Sequence, residues 1–424
     1  MYKNLFICSL LSCLVFAQAN AKESQAKVDD SKLLGEFLKE KCQDVPLLED
    51  LSISGQLNLA FVTSNQYLSK SYVEIPSFFL DGDIYIDCKK VVDGVGFGIK
   101  IGTKARSGMV KEGSASVDSS FVFAETDKLG QFRFGYSKSA GSIFSVSYAD
   151  VLTGYNLVDS GNASVFFTQT SGSILGTGFD KDDAKALKLV YLSPIFKGWS
   201  VGFSYAPNSR DGHLFKEKRN KIEKDYNPSQ NFADYQSYIK DSFTGGISYE
   251  YGDPDAFNMK IALAGWTAKG RTDAATKIRD VKGYNVGAIF GYAKYKLALG
   301  FTDNMNSMIP RDLVDPSQPY GMCPGANNGK LYNIGIGYFG EKWEISAGHF
   351  HAVKKWSSNE RSNSNVTTVA VQYNVDKVLS TYVEYNNIRT KTCNRIMKSE
   401  EHSDGQSYGN NRANLFIVGA KINI

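Results

Sequence analysis

The sequence predicts an all-β fold, a transmembrane antiparallel β-barrel of about sixteen strands. Three observations predict it. From about Leu51 to the last residue, stretches of roughly ten residues alternate apolar and polar side chains, the mark of a sheet with one apolar and one wet face. The connections run short, then long, then short again, as in a barrel with small periplasmic turns and large external loops. The strand count is even and both chain ends fall on the short-turn side, so the first and last strands can pair. Closure leaves no open edge in lipid, where unpaired backbone groups cost several kcal/mol each.

The first element is a leader. Met1–Ala21 has one lysine, Lys3, then an apolar run through Leu5, Phe6, Ile7, Leu10, Leu11, Leu14, Val15 and Phe16, and closes on Ala19-Asn20-Ala21. That order is a secretory signal peptide, with cleavage expected after Ala21. Residues 22–50 form a periplasmic N-terminal extension. In it Leu33, Leu34, Phe37 and Leu38 fall on one helical stripe, so it reads either as a flexible tail or as a short helix. No later stretch reaches the ~20 apolar residues of a membrane helix. Mean hydropathy is that of a soluble chain, which a barrel also shows because only alternate residues face lipid. Cleavage removes Lys3 alone from 48 basic residues, against 44 acidic ones. That balance gives no case for nucleic acid.

Residues 51–424 carry the strands. The first is Ser52–Thr63, with Ile53, Leu57, Leu59 and Phe61 opposed by Ser54, Gln56 and Asn58. Ser77–Asp87 follows, then Val95–Arg106, where Val95, Phe97, Ile99 and Ile101 oppose Lys100 and Lys104. Val117–Glu125 turns at Asp127–Gly130 into Gln131–Ser139, with Phe132, Phe134 and Tyr136 opposite Arg133. These charged faces exclude an ordinary soluble sandwich, which would have to bury them. After a long interruption come Ala184–Leu192 and Trp199–Pro207, then, past Asn208–Lys240, Ser242–Tyr251 and Ala256–Lys269. Val281–Tyr292 and Lys294–Thr302 are separated by almost no turn. Beyond Asp303–Gly329 lie Lys330–Phe339, Trp343–His351, Asn365–Asn374 and Val378–Ile388, and past a last loop Ala413–Ile424 closes the sheet.

Three segments resemble the general diffusion porins of Gram-negative outer membranes. Leu129-Gly-Gln-Phe-Arg-Phe-Gly135 is similar to that family's strand before its third loop. Leu187-Lys-Leu-Val-Tyr191 and Gly198-Trp-Ser-Val-Gly-Phe-Ser-Tyr205 resemble the hairpin after it, and Asn414–Ile424 the closing strand. The chain ends on Ile424 where the family commonly ends on phenylalanine. The resemblance implies a sixteen-stranded homotrimer in the outer membrane, touching lipid and lipopolysaccharide, with a third loop folded into the lumen. The implied function is a water-filled channel for passive diffusion of small hydrophilic solutes and ions. A substrate-specific sugar or anion porin, or a barrel-anchored surface adhesin, are the alternatives. Most aromatics fall on the outward face rather than along a path, which favours weak selectivity.

By position the third loop is 140–183, and its acids Asp150, Asp159, Asp180, Asp182 and Asp183 are candidate constriction residues. By alternation Lys100, Lys104, Arg133 and Lys188 point inward from the facing wall, with Lys260 and Lys421 further round. A few charges at a narrow point inside a low-dielectric wall focus the field and set charge preference. His349 and His351 share a face without an evident third metal ligand. Lys216, Lys218, Arg219, Lys221 and Lys224 make the fourth loop basic. Gly94, Gly96 and Gly98 recur with period two, leaving room for a folded loop or for close packing. After leader removal four cysteines remain. Topology places Cys42 with Cys88 at one rim and Cys323 with Cys393 at the other, so the expected disulfides are Cys42–Cys88 and Cys323–Cys393. No nucleophile–base or paired-carboxylate arrangement stands out, so neither enzyme nor cofactor is expected.

Overall fold

Sixteen strands, each hydrogen-bonded to its sequence neighbours and the first to the last, close into one antiparallel barrel. The computed structural model describes residues 50–66, 77–106, 114–157, 166–167, 174, 186–208, 237–253, 255–272, 279–307, 327–356, 360–392 and 410–424. The strands are β1 (Asp50–Gln66), β2 (Ser77–Val92), β3 (Val95–Arg106), β4 (Ser114–Thr126), β5 (Gly130–Tyr136), β6 (Leu187–Leu192), β7 (Trp199–Asn208) and β8 (Ser237–Gly252). They continue as β9 (Phe257–Thr272), β10 (Val281–Tyr292), β11 (Tyr295–Asp303), β12 (Asn327–Phe339), β13 (Trp343–Lys355), β14 (Arg361–Asn374), β15 (Leu379–Lys391) and β16 (Asn410–Asn423). Closure is made by β1 against β16, with Leu57 opposite Ile422 and Phe61 opposite Val418. Gly55 and the terminal Ile424 exchange both backbone hydrogen bonds, at 3.0 and 2.9 Å.

Turn chemistry fixes the register. Asp93 and Gly94 both have positive φ, 51° and 78°, the requirement of a two-residue hairpin turn whose twist matches its strands. β2 therefore runs to Val92, beyond the expected Asp87, and sets Val92 opposite Val95. Ala293, at φ 50°, makes the equally tight link between β10 and β11. β8 begins at Ser237 rather than Ser242, because a register shift between Lys240 and Phe243 interrupts the alternation there. β6 is Leu187–Leu192, and Ala184, its expected start, lies outside the described residues.

The outward face is apolar. Phe97, Phe132, Phe134, Phe203, Ile336 and Val418 are all about half exposed. Cross-strand aromatic pairs ring the short-turn end: Trp199–Tyr249 at 4.8 Å, Tyr295–Tyr338 at 5.2 Å and Trp343–Tyr373 at 4.8 Å. Others, Tyr205–Phe243 at 4.7 Å and Phe301–Tyr332 at 5.0 Å, lie towards the long-loop end. Two girdles flanking an apolar band are the expected fit to a bilayer's two interfaces.

Candidate functional site in the barrel interior

The segment after β5 carries a five-residue helix, α1 (Ala140–Phe144), and a 3-10 turn at Tyr148–Val151. Ser139 caps the first, its hydroxyl accepting from the Ser142 N–H at 3.2 Å. Ser147 and Asp150 form a capping box on the second, the Asp150 carboxylate accepting the Ser147 N–H at 2.8 Å. Such short pieces cannot satisfy their own backbone groups, and wall side chains do it for them. Ala140 N–H donates to Ser204 Oγ on β7 at 3.1 Å and Gly141 N–H to Thr244 Oγ1 on β8 at 3.0 Å. Val146 N–H reaches Asn285 Oδ1 on β10 at 3.0 Å and Tyr148 N–H reaches Asn333 Oδ1 on β12 at 2.8 Å. Thr153 N–H meets Ser346 Oγ on β13 at 2.9 Å, while its hydroxyl donates to Glu344 at 2.8 Å. The fully buried Glu384 on β15 accepts from Asn156 N–H at 2.6 Å and Leu157 N–H at 3.0 Å. Lys421 on β16 donates to Gly154 O at 2.6 Å. Each of these wall residues lies on the face opposite the exposed apolar side chains of its strand.

Close approach is made possible by glycine on the same inward face. A Cβ at Gly246 would lie 2.3 Å from Phe144 Cβ, one at Gly287 2.6 Å from Val146 Cβ, and one at Gly348 2.2 Å from Tyr148 Cδ2. Three of the track's pairs, Gly202–Gly246, Gly287–Gly300 and Gly335–Gly348, are direct cross-strand partners. Gly96 and Gly98, by contrast, face Lys89, Glu125 and the Phe123 ring, so they serve packing within the wall. Beyond this track Tyr148, Tyr155, Leu157, Phe166 and Phe167 join Leu331, Phe350, Val366, Ile388, Leu415 and Phe79 in one buried apolar cluster. One sector of the interior, from β12 round to β2, is thus packed rather than open.

The predicted wall charges are already partnered. Lys100 is 2.9 Å from Asp87 and 5.1 Å from the Tyr85 ring centroid. Lys104 lies 4.0 Å from Asp83, and Lys260 2.9 Å from Glu250. In each case acid and base are direct cross-strand partners. Arg133 donates to Gln131 and lies 5.2 Å over the Phe121 ring, while Gln131 donates to Glu125. Lys188 corrects its expected role. It points inward but is 1% exposed, and its ammonium donates to Ser137 O at 2.8 Å. It therefore fastens the start of the segment rather than facing open water. His349 and His351 lie on the outward face and bond Thr367 and Asn365, at 3.0 and 2.8 Å. Asp159, Asp180, Asp182, Asp183, Cys42, Cys323, Cys393 and the basic cluster 216–224 lie outside the described residues. The expected bridges Cys42–Cys88 and Cys323–Cys393 therefore fall there too; Cys88 itself sits in β2, opposite Leu51 and Ile99.

A closed barrel with an apolar exterior, two aromatic girdles and a polar, charged interior is an outer-membrane channel protein. The chain belongs to the Gram-negative porin family, whose profile it matches over residues 10–392. Among curated proteins it is 22% identical to an uncharacterized protein of Rickettsia bellii, over 74% of this chain and 79% of that one. It is 21% identical to an uncharacterized protein of Rickettsia prowazekii, over 71% and 75%. Among solved structures the anion-selective porin from Comamonas acidovorans aligns with a TM-score of 0.54 at 13% identity, over 88% of this chain and 99% of that chain. A mutant of the Rhodobacter blastica porin aligns at 0.51 and 12%, over 88% and 100%. These last two are likenesses of fold.

Proposed function

We propose that this chain forms a homotrimer of water-filled channels through which small hydrophilic solutes and ions diffuse passively, with weak discrimination by size and charge. In this reading Met1–Ala21 directs export and is cleaved after Ala21, 22–50 stays periplasmic, and 140–183 narrows the pore. One observation carries the narrowing: backbone donors from Ala140 to Leu157 are held by inward side chains of seven strands between β7 and β15. A loop so fastened leaves the opposite wall, with Lys100, Lys104 and Arg133, as the other side of the passage. Weak selectivity is supported by the pairing of Lys100 with Asp87 and Lys104 with Asp83, since paired charges present little net field. Asp150, turned into its own capping box, and Asp159 and Asp180, later in the sequence, supply the loop's acids. The trimer rests on the family resemblance.

Purified protein in planar bilayers tests the reading. It should insert with ohmic conductance in steps of three equal levels. A folded protein that does not conduct would remove the channel function. Block of the current by a sugar or phosphate at micromolar concentration would replace weak selectivity with a specific site.

A further inference from the structure

The outward face of the barrel does not keep its apolar character to the top of every strand. On β15 and β16, above the Tyr385–Phe416 ring pair at 4.9 Å, two polar rows follow. The first is Asn387 opposite Asn414, itself opposite Asn65 on β1. The second is Arg389 directly opposite Arg412. At the same register levels β12 carries Ile334 and Tyr332, so the change belongs to this sector. Asn65, Tyr385, Asn387, Arg389, Arg412 and Asn414 line an open groove of about 550 Å³.

Like charges directly opposite on one sheet face repel, so the arginine pair needs an anion. Among the described residues neither guanidinium has an ion-pair partner. The wall behind offers none, because Ile388, Ala413 and Leu415 are buried in the apolar cluster. The amides below are organised: Asn387 Nδ2 and Tyr385 OH both donate to Asn414 Oδ1, at 2.6 and 2.8 Å. Height narrows the choice of anion. Ten residues of a strand tilted by about 40° rise roughly 26 Å, about the thickness of the apolar band. Asn414 stands ten residues above Ile424, so it lies at the upper edge of that band, with Arg412 just beyond.

We infer that the Arg389–Arg412 groove seats the phosphate of an anionic lipid headgroup. The ring pair packs against the acyl boundary, Asn387 and Asn414 meet the glycerol or sugar level, and the two guanidinium forks take the phosphate oxygens. A second copy of this chain fits less well. The outward strand carboxylates whose side chains are described, Asp241 and Asp303, are already held by Lys269 and Lys330, at 2.8 and 3.2 Å.

Native mass spectrometry of the full-length protein in detergent tests this, with dioleoylphosphatidic acid, dioleoylglycerol and inorganic phosphate as probes. Phosphatidic acid should be retained, and Arg389→Gln/Arg412→Gln should weaken its binding at least tenfold. Arg389→Lys/Arg412→Lys should cost only a few-fold, and Lys282→Gln, on the outer face of β10, nothing. Heat-dependent electrophoretic mobility verifies that each barrel is folded. Equal retention by the glutamine variant, or equal retention of dioleoylglycerol, would overturn the inference. So would inorganic phosphate binding as tightly as the lipid, which would mean a free-anion site. A change of oligomeric mass in the glutamine variant without loss of lipid would assign the groove to a contact between copies instead.

Discussion

Replacing Glu384 by alanine should release the far end of the interior segment while leaving the barrel closed. The Glu384 carboxylate accepts the Asn156 and Leu157 N–H groups of the segment as well as the Asn386 side-chain amide, and is itself fully buried. A buried donor left without a partner costs about 1–3 kcal/mol, so two lost acceptors remove roughly 2–6 kcal/mol from the attachment. Even the lower figure raises the open population of the segment about 30-fold. Glu384→Gln keeps one carbonyl oxygen and turns an NH2 group towards the second donor, so about half of that loss is expected. The neighbouring ladder is untouched, since β15 stays paired with β14 and β16 through its backbone. Hydrogen exchange on the folded protein reads the effect directly. The Asn156 and Leu157 amides should lose at least tenfold protection in Glu384→Ala and less in Glu384→Gln, with strand amides unchanged. In bilayers the alanine channel should show added current noise from the moving segment. Unchanged exchange at both amides in a folded Glu384→Ala protein would refute the attachment.

Three further outcomes are expected. Gly246→Ala places a Cβ 2.3 Å from Phe144 Cβ; the overpacking, about 1–3 kcal/mol, should lift α1 and alter single-channel conductance, whereas Gly265→Ala, whose Cβ would meet only the Gly283 carbonyl at 3.7 Å, should not. Lys100→Gln should move the reversal potential towards cations and Asp87→Asn towards anions, with the double variant close to wild type; three identical potentials would place the pair off the ion path. The Asp376 carboxylate accepts the Val378 and Leu379 N–H groups at 2.7 and 2.6 Å, which holds its pKa below the usual carboxylate range. The order it gives the β14–β15 turn is fully present above the ordinary carboxylate pKa and is lost as pH falls through the lowered value. The Leu379 amide's protection factor, its exchange rate corrected for the intrinsic pH dependence, should therefore fall in acid, and Asp376→Asn should weaken that dependence.

Much of the architecture was legible because alternation survives wherever one side of a strand meets lipid. The inward direction of Lys100, Lys104, Arg133 and Lys188 follows from the outward Phe97, Ile99, Phe132, Phe134 and Leu189. Their partners were also within reach, since a two-residue turn at Asp93–Gly94 puts Val92 opposite Val95. Five residues from that pair on either side stand Asp87 and Lys100, and nine residues away Asp83 and Lys104. What alternation cannot report is depth. Lys188 and Lys100 have the same parity, yet one is covered by the segment that follows β5 and the other is not. The glycine track was hidden for a related reason. An isolated glycine in a strand signals close approach by something, but not by which element, and Gly98 and Gly348 look alike until the Phe123 and Tyr148 rings are placed against them.

The upper halves of β14, β15 and β16 show how the same period can carry the opposite meaning. There Val366, Ile388 and Leu415 point inward and are buried, while Asn365, Arg389 and Asn414 point outward. Read as an ordinary membrane strand, such a stretch has its faces reversed, and β14 starts at Arg361 rather than the expected Asn365 while β15 runs to Lys391 rather than the expected Ile388. The reversal has one physical cause on each side. Inside, Tyr148, Tyr155, Leu157, Phe166 and Phe167 supply an apolar surface that the wall must match, because polar wall groups facing those rings would lose their hydrogen bonds. Outside, the strand has climbed past the apolar band, where lipid tails no longer reward apolar side chains. A wall that is dry within and wet without cannot border an open pore at that height. Charge substitutions on the opposite, β2–β5 wall, at Asp83, Asp87, Lys100, Lys104 or Arg133, should therefore change conductance more than those near β14–β16.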